Sequence, residues 1–252
     1  MRITVLGSAS GLPVLHRNAS SYLVESGPLS ILMDAGEGVS RQLLQYGVDY
    51  NRIEAIFISH THSDHVSGLF MMLQMMHLTE RKNPLSIYLP TGVADHFKSI
   101  FPYFQIYQEQ WPFVFSIYPI SQGVLLKQDG LEIEAFHNGH LAGNQNLGEK
   151  YGVGTDSYSF FLKEEEDKGV LYTSDVDTLE NFSDNPVDLK TLIVESTHIG
   201  VENIIQFAIE KEVSQIILTH IPAEFEEKPL TRSALPSSIS LIAAADGLII
   251  EV

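Results

Sequence analysis

Ile58-Ser59-His60-Thr61-His62-Ser63-Asp64-His65 places three histidines and an aspartate within six positions. Ahead of this stretch, Ala55–Ser59 is an apolar run of the kind that sheets bury on both faces. Behind it, Ser67–Leu78 reads as a helix. A turn between a buried strand and a helix lets polar side chains converge while the backbone is anchored on both sides. His60 and His62 are two apart, so an extended strand end points them the same way. Asp64 and His65 fall at the helix start and face a second point. The spacing suits two adjacent metal ions.

Further along the chain, histidines and aspartates recur where strands end. His140 follows the alternating run Leu131–Phe136, Asp175 follows Leu171–Ser174, and His220 follows Gln215–Thr219. Each alone is an ordinary polar loop residue. Together with the cluster, strands that deliver His, Asp and His to one sheet edge supply a second half-site. The chain has no cysteine, which excludes thiolate ligands and disulfides. Nitrogen and oxygen donors suit Zn²⁺ and also Mn²⁺ or Fe, so two divalent ions are expected, with Zn²⁺ first.

Strands and amphipathic helices follow one another without a repeat, linker or low-complexity tract, and a single domain over 1–252 is expected. Strands are expected at Arg2–Leu6, Tyr22–Glu25, Ser30–Met33, Leu85–Leu89, Tyr158–Leu162, Gly169–Tyr172, Thr191–Val194 and Gln215–Leu218, with an all-β stretch over Trp111–Phe136. Helices are expected at Gly38–Tyr46, near Val93–Phe101 and at Val201–Glu210. Gly7–Pro13 and Ser26–Pro28 read as hairpin-like connections, Glu164–Asp167 as a solvated hairpin tip, and Asp246–Gly247 as the turn of a closing hairpin. Met71, Met72, Met75 and Met76 read as adaptable core packing.

The 252 residues carry 15 Lys and Arg against 32 Asp and Glu, a formal charge of −17. No basic cluster stands out, and such a field repels long polyanions more than small substrates. No apolar stretch approaches membrane-helix length and no leader pattern is seen, so a cytoplasmic location and no membrane partner are expected.

The His-x-His-x-Asp-His cluster resembles the signature of the metallo-β-lactamase superfamily. Leu6-Gly7-Ser8, Pro13, Arg17-Asn18-Ala19-Ser20-Ser21 and Asp34-Ala35-Gly36-Glu37-Gly38 narrow the resemblance to its ribonuclease Z-like branch. The similarity extends to Asp246-Gly247. It implies an α/β (α+β) fold, a four-layer αββα sandwich with the site at one edge of two sheets. It also implies that His60, His62 and His140 hold one metal, that Asp64, His65 and His220 hold the other, and that Asp175 bridges them. His137 rivals His140, which keeps the family spacing from Phe136. Val194-Glu195-Ser196-Thr197-His198 resembles the branch's Glu and His outside the ligand set: Glu195 would orient His198, and His198 would contact a phosphate or protonate the leaving oxygen.

Two ions about 3.5–4 Å apart can share a water and bring its pKa toward neutrality, and Asp64 is placed to accept its proton. A proton donor suits an alkoxide leaving group, so the expected reaction is hydrolysis of a small phosphodiester by a metal-bound hydroxide. Ribonuclease Z enzymes carry an arm that grips tRNA; here Phe160–Leu162 leads through Lys163–Lys168 straight to Leu171–Asp175, leaving no room for one. A small phosphoester is therefore expected, and tRNA is not. Leu141–Asp156, an extra Gly/Asn-rich segment after His140, is expected to act as a lid. Competing readings are a ribonuclease, a lactonase or thioesterase, a di-iron redox protein and a non-catalytic binding module. A homodimer is expected from the related enzymes.

Overall fold

A computed structural model describes residues 1–165, 167–182, 188–226 and 235–252. Among the described residues, fourteen strands form two seven-stranded sheets. The first comprises β1 (Arg2–Gly7), β2 (Ser21–Ser26), β3 (Leu29–Met33), β4 (Ile53–Phe57), β5 (Leu85–Pro90), β6 (Phe115–Ile120) and the last strand, β14 (Ile249–Glu251), which lies beside β1. The second comprises β7 (Gly123–Gln128), β8 (Leu131–His137), β9 (Tyr158–Glu164), β10 (Gly169–Tyr172), β11 (Leu189–Glu195), β12 (Gln215–Thr219) and β13 (Ser240–Ala243). Each sheet is half antiparallel and half parallel. The parallel halves are β3-β4-β5-β6 and β10-β11-β12-β13.

Three buried clusters give the layer order. Ile31, Phe57, Ile133, Phe160 and Ile193 meet between the two sheets. The outer face of the first sheet packs Leu32, Ile56 and Ile87 against α1 (Val39–Gln45), α3 (Gly68–Leu78) and α4 (Thr91–Phe97). The outer face of the second packs Leu192, Val194 and Ile216 on Ile204, Ile205 and Ala208 of α6 (Val201–Glu210). Helix, sheet, sheet, helix is the expected four-layer arrangement. Strands such as β3 and β10 are buried at every position because both their faces are covered.

The hairpin at Ser26–Pro28 forms, with Ser26 paired to Leu29. Strands β9 and β10 pair across the acidic turn, whose Glu166 lies outside the described residues. The all-β stretch is real but divides, with β6 in the first sheet and β7 and β8 in the second. The closing hairpin does not form: β13 pairs parallel to β12, and β14 pairs antiparallel to β1 in the other sheet. Asp246–Gly247 is a crossing between sheets. The Asp246 carboxylate accepts from the Ser8 backbone N–H at 3.1 Å, the Asn18 N–H at 2.7 Å and the Asn18 side chain at 2.9 Å.

The helix after the cluster starts four residues early, as α2 (Ser63–Val66), and resumes as α3 beyond Ser67. Met72 and Met76 of α3 are fully buried, Met75 packs on the same cluster, and Met71 faces outward. Backbone packs on backbone where the break falls. A Cβ on Gly68 would stand 2.0 Å from the Gly36 carbonyl, and one on Gly36 would stand 2.2 Å from the Asp64 carbonyl. Glycine at both positions brings α2 against the end of β3, so Asp64 and His65 point back over the sheet edge. The helix expected near Val93–Phe101 is shorter, α4, and a 3-10 turn at Phe101–Phe104 follows it.

Candidate metal centre

The carboxyl ends of the parallel strands converge on one edge of the sandwich, where open α/β sheets bind ligands. Asp34 follows β3, the His60–His65 turn follows β4, and Ser174-Asp175 follows β10. Glu195 ends β11, His198 lies three residues on, and His220 follows β12. Asp34, Ser174 and His220 all have left-handed backbone angles, at φ 57°, 52° and 51°. Side chains with a Cβ seldom adopt this conformation, and the strain at sites like these is held by the surrounding fold.

The seven residues singled out from the sequence gather in two groups that share Asp175. His60, His62, His140 and Asp175 form one; Asp64, His65, Asp175 and His220 form the other. In each, the donor atoms lie within 4.8 Å of one another. The two oxygens of Asp175 face different groups. Oδ2 lies 4.0 Å from His60 Nε2 and 3.7 Å from His140 Nε2, whereas Oδ1 lies 3.3 Å from both His65 Nε2 and His220 Nε2. His220 Nε2 also stands 3.1 Å from Asp64 Oδ2, and His62 Nδ1 stands 3.4 Å from His140 Nε2. His137 is left outside, paired with Asp156 at 3.7 Å on the surface.

Neighbouring groups fix the tautomers. Asp34 Oδ2 faces His65 Nδ1 at 2.8 Å, so that nitrogen carries the proton. Ser59 Oγ donates to Asp34 at 3.0 Å and accepts from His60 Nδ1 at 3.1 Å. Thr197 Oγ1 donates to the His220 carbonyl at 2.9 Å and accepts from His220 Nδ1 at 3.0 Å. In all three histidines the proton sits on Nδ1, and Nε2 points at the common centre. His60 Nε2, His65 Nε2 and Asp175 Oδ1 are buried without a hydrogen-bond partner. Such orphaned atoms cost about 1–3 kcal/mol each, and a divalent cation would take up their lone pairs. The donor set fits the implied pair of ions.

Charge and burial pull these groups apart. Burial, with His65 beside it, holds the His60 imidazole well below its usual range. Burial would also lower His65, but Asp175 and Asp34 outweigh it and hold His65 well above. Asp175 is depressed despite its burial because His65, His220 and His60 surround it. Asp64 is likewise lowered against its burial, by its hydrogen bond to His220 and by His65.

Beside the two groups, Glu195 is fully buried and His198 half exposed, with Glu195 Oε1 3.1 Å from His198 Nδ1. The same carboxylate accepts the His198 backbone N–H at 2.9 Å. The bond between the ring and the Glu195 carboxylate, with the negative charge behind it, outweighs burial and raises His198 above the usual histidine range. Its ring centroid lies 5.2 Å from that of His140 and 6.2 Å from that of His220.

Two clefts flank the centre. One of about 440 Å³ touches Asp64 and is walled by the loop after β1, with Arg17, Asn18, Glu37 and Arg41. The other, of about 300 Å³, opens at His198 between the turn after Asp175 and the exposed face of α6. The Leu141–Asp156 segment forms a 3-10 turn at Ala142–Asn144 and a short helix, α5 (Gln145–Tyr151). It is fastened to the start of α4 by Gly154 N–H donating to the Gly92 carbonyl at 3.3 Å.

Sequence reading did not assign roles to Asp34, Ser59, Tyr172 or Thr197. Tyr172 donates to Asp34 Oδ2 at 2.6 Å from the opposite sheet. Asp34 was visible only as part of the Asp-Ala-Gly-Glu-Gly motif, and nothing local marks Tyr172.

The chain is similar to several known proteins. Ribonuclease Z of Archaeoglobus fulgidus is 26% identical over an alignment of 305 residues that covers 100% of this chain and 97% of the relative. The ribonuclease Z of Haloarcula marismortui, at 33% identity, aligns with 56% of this chain and 44% of its own length. The short form of human tRNase Z superposes with a TM-score of 0.77 at 20% identity, covering 100% of this chain and 99% of that one. The fold is that of the metallo-β-lactamases, in their ribonuclease Z-like branch, and the chain is a metal-dependent hydrolase. Among the described residues no helix is long and apolar enough to cross a membrane. Residues 1–223 match the family described as anti-Pycsar protein Apyc1, and the chain belongs to that family.

Proposed function

We propose that the protein is a binuclear phosphodiesterase acting on a small cyclic or linear nucleotide-like ester. The observation that carries the reading is His198, held by the buried Glu195 carboxylate at the rim of the two donor groups. His60, His62 and His140 would hold one ion, Asp64, His65 and His220 the other, with Asp175 between them and Zn²⁺ the native metal. When bound, the ions supply the positive charge that activates water and offsets the phosphate oxygens. Asp64, kept ionised by His220, accepts a proton from the attacking water. His198, kept protonated by Glu195, gives its proton to the departing alkoxide. An alkoxide is a poor leaving group without a proton, and a donor held at the rim supplies what phosphodiester hydrolysis needs.

The charge of −17 and the short β9–β10 connection support a small substrate over tRNA. RNA is the second reading, and the Archaeoglobus fulgidus relative named ribonuclease Z, matched over 97% of its length, favours it. The test is a hydrolysis panel on the metal-loaded protein: bis(p-nitrophenyl) phosphate, a dinucleoside monophosphate, a precursor tRNA, a lactone, a thioester and a β-lactam. Turnover of the first two, lost in His62→Ala, supports the proposal. Cleavage of precursor tRNA alone establishes the RNA reading, and turnover of only the lactone or thioester overturns both.

We also propose that Leu141–Asp156 shapes substrate choice as a lid beside His140. Replacing residues 142–153 with a short glycine linker should change the panel's ranking, and an unchanged ranking counts against a lid.

A further inference from the structure

The cleft at His198 is built on one helix face. Asn203, Gln206, Phe207 and Glu210 of α6 follow one another at i, i+3, i+4 and i+7, the spacing that lines a single side of a helix. Opposite them stand Asp177 and Glu180, in the turn that follows Asp175. Phe207 is buried as an apolar floor, and the amides and carboxylates form exposed walls. Glu210 is fixed toward Gln206 by a 2.7 Å hydrogen bond. Among the described residues no lysine or arginine lines this cleft, whereas Arg17 and Arg41 line the cleft on the Asp64 side.

Resting on the phosphodiesterase reading above, we propose that this cleft is the leaving-group subsite and that its carboxylates select leaving groups without a further phosphate. In-line displacement puts the leaving oxygen on the side opposite the attacking one. His198 stands on the cleft's side of the donor groups, so the alcohol it protonates departs into the cleft. A nucleoside offers hydroxyl and amino hydrogens to Asp177, Glu180 and Glu210, amide partners for Asn203 and Gln206, and an apolar ring face for Phe207. A phosphate on that nucleoside would meet three carboxylates. At surface dielectric and physiological salt this repulsion corresponds to roughly a tenfold loss in kcat/KM. The reaction itself is balanced hydrolysis: water adds to phosphorus, the P–O bond to the leaving oxygen breaks, and that oxygen takes the proton.

The experiment compares three substrates with the Zn²⁺-loaded protein: a dinucleoside monophosphate, the same compound with a phosphate on its 5′ end, and the same compound with a phosphate on its 3′ end. The products identify which nucleoside leaves. We expect a phosphate on the leaving nucleoside to lower kcat/KM about tenfold and one on the other nucleoside to have a much smaller effect. In Glu180→Gln/Glu210→Gln the ratio between these two substrates should fall toward one. Both side chains are exposed, so the fold should tolerate the change. Equal rates on all three substrates, or a ratio that the variant leaves unchanged, would overturn the subsite. Turnover of none of them, nor of bis(p-nitrophenyl) phosphate, would overturn the phosphodiesterase reading and the subsite with it.

Discussion

Glu195 and His198, three residues apart, are joined twice by one carboxylate: Oε1 meets the imidazole Nδ1 at 3.1 Å and Oε2 accepts the His198 backbone N–H at 2.9 Å. The end of β11 thereby fixes both the ring and the backbone that carries it. If His198 protonates the leaving oxygen, its importance should scale with how poor the leaving group is. His198→Ala should lose about 10²–10⁴-fold on a nucleoside ester but far less on bis(p-nitrophenyl) phosphate, whose leaving group needs little help. Equal losses on both would remove the acid role.

The same pair predicts a pH effect. Glu195 raises the His198 pKa, so the protonated form persists above the ordinary value of about 6.5 and activity falls as pH rises through the raised value. Glu195→Gln removes the charge and should move that alkaline fall to lower pH. A kcat profile on a nucleoside ester checks it. An alkaline limb in the same place in both proteins would mean that another group sets it.

Asp34 should tune one donor group more than the other. It holds His65 Nδ1 at 2.8 Å and receives Tyr172 O–H at 2.6 Å. It reaches the first group only through Ser59. Asp34→Asn should weaken metal binding about 10–100-fold, chiefly at the group containing His65. Tyr172→Phe should do the same more weakly. Competition with a chelator, followed for each of the two ions, distinguishes this from a uniform loss, which would argue for general destabilisation.

Metal removal should loosen the fold. Ions that bind only the folded chain stabilise it, by about 2.7 kcal/mol at 100 times Kd for one site. For a chain of this size that corresponds to a fall in Tm of roughly 5–10 °C on chelation. Asp175 faces both groups, so Asp175→Asn should abolish the metal-dependent part of Tm, whereas His62→Ala should keep some of it. Calorimetry with and without EDTA provides the readout.

Arg81 makes a different kind of prediction, because it stabilises without taking part in the site. Only 1% exposed, it donates to the carbonyls of Tyr50 at 2.9 Å, Ile53 at 2.6 Å, Asn83 at 2.8 Å and Pro84 at 2.9 Å. Arg81→Met leaves these acceptors without a donor and should cost about 3–5 kcal/mol, measured by urea unfolding. Arg81→Lys, with no planar fork, should recover only part of it.

The donor groups were legible in the sequence because four of their residues sit in one turn and the others end apolar runs. Strand ends are local signals, and so is the His198 spacing. The features that orient the site are not local. Tyr172 and Asp34 lie 138 positions apart and on different sheets, and no periodicity reports such a contact. The closing hairpin failed for the same reason. Across a two-residue turn at Asp246–Gly247, Ala243 would face Ile250, yet Ala243 pairs with Leu218 and Ile250 with Ile3. Sheet pairing is set by burial on both faces, and adjacent strands belong to different sheets when the sandwich needs both edges covered. The early start of α2 depended on backbone contacts at Gly36 and Gly68 that hydrophobic pattern does not encode.

The Asp246 clamp also has a consequence in time. Asn18, whose loop walls the cleft beside Asp64, is tied to a residue 228 positions later. During translation at 5–20 residues per second, that interval is on the order of ten to fifty seconds. Every donor residue has left the ribosome before Asp246 does, His220 last among them. Nascent chains stalled short of residue 246 should be cut by protease between residues 8 and 20, and finished chains should resist. The loop that walls the cleft beside Asp64 thus hangs open after every candidate donor residue has emerged, until the Asp246 carboxylate arrives to latch it.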